Sequence, residues 1–81
     1  MIVLMDNLAV NLDNVKSIEV RATGQGAAII CDEVTLYTFR SAYTARYIFD
    51  ELVSAWTSGK ICYNMAKHIK DMMNNYKEVI R

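Results

Sequence analysis

His68 is the only histidine in the chain, and Asp71 follows it at i+3, a helical spacing that could orient an imidazole for proton transfer. A triad also needs a nucleophile against the ring. Cys62, six residues earlier, falls on a different side of a helix, and no serine stands in a nucleophile motif. The pair therefore reads as part of a solvated polar face. Asp50 and Glu51 are adjacent carboxylates, but neighbours on a helix diverge by about 100° and do not converge on one substrate. The stretch Thr23-Gly-Gln-Gly26 lacks the following Lys-Ser/Thr and the helix opening of a phosphate loop, so it reads as a hairpin loop in which glycine supplies positive φ. No cluster of His, Cys or carboxylate has metal-ligand spacing. The expectation is a protein without catalytic residues, metal or cofactor.

A different chemistry is offered by Tyr37, Arg40, Tyr43, Arg46 and Tyr47, which span the end of a strand and the outer side of the helix after it. Tyrosine and arginine combine large contact area with polar reach, which enriches them at protein interfaces and lets them stack on bases. Tyr43 and Tyr47 are i, i+4 neighbours. The competing reading has them flanking the core, their rings against sheet or second helix and their hydroxyls in water.

These residues depend on a helix read from Ser41 to Gly59. Ala45, Ile48, Phe49, Leu52, Val53 and Trp56 recur on one face, Ser41 is placed to cap the first turn, and Gly59 suits the left-handed residue that ends a helix. Before it, residues 1–40 carry strong turn signals every six to ten residues. Asp6-Asn7, Asp13-Asn14, the Gly24/Gly26 loop and Asp32-Glu33 separate short apolar or alternating runs. Ile18 and Val20 alternate with Ser17, Glu19 and Arg21; Val34 and Leu36 share one face, and Thr35, Tyr37 and Phe39 the other. Such short links fit an antiparallel meander of three to five strands. Residues 60–81 return to helical period, with Cys62, Met65, Ala66, Ile69, Met72, Met73, Tyr76, Val79 and Ile80 along one stripe. The fold class is α+β, a single domain of sheet, first helix and basic amphipathic second helix.

Eighty-one residues are near the size at which one core is only just sufficient, so a homodimer or a protein complex is a reasonable expectation. The second helix has two placements: beside the first, completing the monomer, or with Met65, Ile69, Met72, Met73 and Tyr76 buried against a second copy or another protein. A formal net charge of zero argues against a strongly basic nucleic-acid binder and a strongly acidic DNA mimic. Charge is nevertheless uneven, since residues 60–81 hold five basic against two acidic side chains, a local +3. Cys31 ends the apolar run 27–30 and Cys62 stands between Ile61 and Tyr63, and both read as buried, reduced thiols. Met1 to Met5 is too short for a signal-peptide core and no run is long enough for a membrane span, so the expected location is the cytoplasm, away from membranes.

The segments from Ala9 to Val20 and from Phe39 to Leu52 resemble a group of small proteins of Firmicutes and their prophages, in which a strand-rich N-terminus precedes a helix and a Lys-rich end. The resemblance covers about residues 1–60 and implies non-enzymatic binding. Phage-borne proteins of this kind include inhibitors of bacterial immunity, anti-CRISPR proteins among them, which act in the host cytoplasm. The leading expectation is a protein-interaction module that inhibits a host defence enzyme. The alternative is a nucleotide or nucleic-acid binder with the basic C-terminal helix on phosphates and the Tyr/Arg surface on bases.

Overall fold

The turn-forming dipeptides divide the first forty residues into short strands that are too close together for crossovers. In the computed structural model they form β1 (Ile2–Leu4), β2 (Ala9–Asn11), β3 (Ile18–Ala22), β4 (Ala27–Cys31) and β5 (Val34–Phe39). The helix α1 (Ala42–Thr57), a sixth strand β6 (Cys62–Asn64) and the helix α2 (Met65–Ile80) follow. The description covers the backbone of residues 1–80 and the side chains of residues 1–73.

The α+β class and the meander stand, but the strands make two sheets rather than one. β3, β4 and β5 form an antiparallel meander. β1 pairs antiparallel with β2 across the Asp6-Asn7 turn, where the Met5 amide donates to the Leu8 carbonyl at 2.7 Å. Its other edge pairs with β6 in parallel, giving the order β2-β1-β6. β6 departs from the helical period that includes Cys62: the structure keeps Cys62–Asn64 extended and starts the second helix three residues later, at Met65. Parallel pairing needs a long connection, and here the meander and α1 supply it.

α1 lies on the meander and α2 packs against α1 and β1. One core joins all layers, with Val3, Ile29, Ile48, Leu52 and Met65 fully buried within it. Each such side chain contributes about 1.5–3 kcal/mol by leaving water. Ser41 caps α1 as expected, its Oγ accepting from the Thr44 amide at 3.3 Å, and Gly59 ends it at φ 85°.

Two local details differ from simple alternation. A bulge in β5 sets Ile30 opposite Thr35 but Ile29 opposite Tyr37, leaving Leu36 as the extra residue. Leu36 and Phe39, three apart, are both buried in the core, so the division that set Thr35 with Tyr37 and Phe39 does not hold. The glycines of the β3–β4 loop do not supply positive φ either. The left-handed residue of the meander is Asp32 (φ 54°) in the next turn, where its carboxylate accepts from the amides of Lys16 and Ser17 at 3.1 and 3.0 Å. Gly26 has another reason: a Cβ there would sit 2.0 Å from the Phe39 carbonyl oxygen.

Candidate functional site

The core stripe of α1 runs through Ala45, Ile48, Leu52 and Ala55, which leaves the remaining sides of the helix to solvent. One flank beside the stripe begins with Tyr43 and Tyr47, 79% and 45% exposed, and continues through Glu51, Ser54 and Ser58. Glu51, one turn further on, raises the pKa of the Tyr47 phenol above its ordinary value, first through side-chain hydrogen bonding and then through its charge. Arg46 lies beside this line, with Nε 3.6 Å from the Asp50 carboxylate and the guanidinium carbon 5.8 Å from the centre of the Phe49 ring. Asp50 and Glu51 thus diverge, one toward Arg46 and one along the tyrosine line.

The far end of the line is closed by the unexpected strand. After Gly59 the chain turns back, the Lys60 amide donating to the Ala55 carbonyl at 3.1 Å, and enters β6. Strand alternation sends Cys62 and Asn64 outward and Tyr63 inward. Asn64 then caps α2, its Oδ1 accepting from the Lys67 amide at 3.0 Å. His68, one turn into that helix, lies flat on Tyr63 with ring centres 4.8 Å apart and planes 9° apart. It is half-buried on that ring and not on a solvated face with Asp71, as the i+3 spacing suggested.

Glu51, Ser54, Ser58, Lys60, Tyr63 and His68 enclose a cleft of about 130 Å³ between the C-terminal half of α1 and the start of α2. Tyr63 is 4% exposed and its hydroxyl is buried with no hydrogen-bond partner. Burial first, then the negative charge of Glu51, then Tyr47, keep this phenol protonated far above the usual tyrosine range. Glu51 is half-buried and joins none of the ion pairs among the described residues, whose carboxylates are Asp6, Asp13, Glu19 and Asp50. Ser58 donates its hydroxyl proton to the Ala55 carbonyl at 3.0 Å, which leaves its oxygen lone pairs toward other donors. The cleft offers hydrogen-bond acceptors, a neutral phenol in its wall and the half-buried His68 ring.

Of the residues singled out from the sequence, α1 brings together Tyr43, Arg46 and Tyr47. Tyr37 packs on Phe39, ring centres 4.7 Å apart, and Arg40 is exposed in the turn before α1. Of the two placements open to the second helix, Met65 and Ile69 take the one inside this chain, buried in its core. Their burial follows from α2 docking on α1 and β1. Met72 packs at the edge of that core, Met73 is 52% exposed, and Tyr76 lies outside the described side chains. Cys31 is buried, but Cys62, expected to be buried too, is exposed because β6 turns it away from Tyr63.

The sequence reading missed Tyr63 and the role of Glu51, Lys60 and His68 around it. Asn64 carried the signal: an asparagine that caps Met65 moves the helix start and frees residues 60–64 to be extended. Among the described residues no group of three or more His, Cys, Asp or Glu is placed to hold a metal, and no helix is long and apolar enough to cross a membrane. Comparison with known families, with curated proteins and with solved structures finds no match to this chain.

Proposed function

We propose that the chain is a non-enzymatic protein-interaction module whose contact surface is the flank of α1 from Tyr43 through Tyr47 to the Tyr63 cleft. The observation that carries this reading is the exposure of Tyr43 and Tyr47 one turn apart, on a flank of α1 beside its core stripe. Rings of this size contribute most when desolvated by a partner, and their two side-chain torsions make ordering them inexpensive in entropy. The cleft at the end of the line gives the surface a concave anchor point, the usual setting of an interface hot spot.

The resemblance of residues 9–20 and 39–52 to small phage-borne proteins extends the proposal to the kind of partner: an enzyme of host defence, inhibited by occlusion, as an anti-CRISPR protein would do in the host cytoplasm. The nucleic-acid alternative is the weaker one. The exposed tyrosines share their flank with Glu51, and the neighbouring Arg46 is already paired with Asp50, so a phosphate backbone would meet a carboxylate without a free cation beside it.

The test replaces Tyr43, Arg46 and Tyr47 together with alanine and compares affinity capture from host lysate with that of the unaltered chain, after circular dichroism and melting show that the variant folds. The reading requires a specific partner that the unaltered chain retains and the variant loses. Equal recovery of that partner by both would remove this surface from the account.

A further inference from the structure

We infer that the Tyr63 cleft is a socket for one arginine side chain of the partner protein. The inference rests on the protein-binding reading above and names the chemistry of its anchor. Four features of the cleft favour a planar cation. Glu51 supplies a half-buried carboxylate that no cation of the described chain pairs with. The cleft lies at the C-terminal end of α1, the negative pole of its dipole, and the last turn of that helix contains no basic residue to compensate it. The Tyr63 oxygen, buried and unpartnered, holds lone pairs free to accept from an N–H. The half-buried His68 ring, held flat on Tyr63, adds an aromatic surface against which a guanidinium packs well.

An arginine fits better than a lysine because its planar fork carries several donors at fixed angles, enough to reach a carboxylate and a phenol oxygen together. A volume of about 130 Å³ admits a side-chain head group. An anion is disfavoured by the unneutralised Glu51. Lys60 is the one cation on the rim; it is exposed, forms no ion pair with Glu51, and can turn into water when the socket fills.

The experiment is an NMR titration of the full chain with N-acetyl-arginine N-methylamide, with the citrulline and lysine counterparts as separate arms. The arginine probe should produce saturable shifts centred on Glu51, Ser54, Tyr63 and His68. The citrulline probe, nearly isosteric but neutral, should bind at least about tenfold more weakly, and Glu51→Gln should weaken arginine binding by a similar factor. Tyr63→Phe, which keeps the ring, should weaken it severalfold in a protein whose spectrum shows an intact fold. Equal response to citrulline, equal or tighter binding of the lysine probe, shifts centred elsewhere, or indifference to Glu51→Gln would each overturn the inference. Capture by the Tyr43/Tyr47 surface is a separate readout, so failure here leaves that result standing, and its failure leaves this one.

Discussion

Replacing Tyr63 by phenylalanine removes one oxygen atom from the middle of the proposed site and should make the protein more stable. The ring remains, with its stacking on His68 and its place in the core. What leaves is a buried hydroxyl that bonds to no other group of the protein. Leaving such a group unmatched costs about 1–3 kcal/mol, so its deletion should return roughly 1 kcal/mol once small losses in packing are deducted. For a domain of this size 1 kcal/mol raises the melting temperature by about 4–8 °C. The assay is thermal and urea unfolding followed by circular dichroism, with Tyr63→Ala as the reference for loss of the whole ring, which should cost about 3–5 kcal/mol. A phenylalanine variant less stable than the parent by about 1 kcal/mol or more would mean that the hydroxyl is bonded in the folded protein. The argument for an unfilled acceptor in the cleft would then fail. Gain in stability together with loss of arginine binding is the pattern of a group retained for function.

Two further outcomes follow from burial and backbone geometry. Burial, assisted by the charge of Asp32, pushes the Cys31 thiol from its ordinary 9.0 up to about 11, so below pH 9 both folded and unfolded chains keep the proton and stability is whole. Between pH 9 and about 11 the unfolded chain releases it first, and roughly 2–3 kcal/mol of stability should be lost, with Tyr63 adding to the loss above pH 10; urea midpoints that stay flat from pH 8 to 11 would contradict this. Native protein should accordingly bind one equivalent of a thiol reagent at neutral pH, at exposed Cys62, and two after unfolding. Gly26→Ala should destabilise the fold by about 1–3 kcal/mol or more because its methyl group meets the Phe39 and Arg40 backbone, while Gly24→Ala, with nothing within 4 Å, should be nearly silent in the same unfolding assay.

The parts of this fold legible in the sequence are those in which local chemistry and packing agree. Ser41 and Gly59 bound α1 because a hydroxyl cap and a left-handed glycine are needed wherever a helix of that pattern starts and stops. Ile18 and Val20 alternate because β3 has one wet face, and the whole of Ala27–Cys31 is apolar because β4 is the central strand of its sheet. Features set by distant contacts were not legible. Three residues cannot display a period, and Cys62, Met65 and Ile69 fit helical spacing as well as Cys62-Tyr63-Asn64 fits a strand; the pairing with Ile2–Leu4, about sixty residues away, decides it. The bulge at Leu36 and the close approach at Gly26 likewise arise between strands. Tyr43 and Tyr47 were visible as a pair, but the cleft they lead to exists only once β6 brings Tyr63 beneath α1.

The placement of recognition on the tyrosine flank of α1 is tested most directly by hydroxyl-radical footprinting of the chain alone and in its captured complex. Leu8, Val34 and Ile61 are exposed apolar side chains outside the proposed surface and serve as internal controls. Protection of Tyr43 and Tyr47, with Leu8, Val34 and Ile61 oxidised as in the free protein, is the predicted result. Protection of Leu8, Val34 or Ile61 while Tyr43 and Tyr47 remain fully reactive would contradict it.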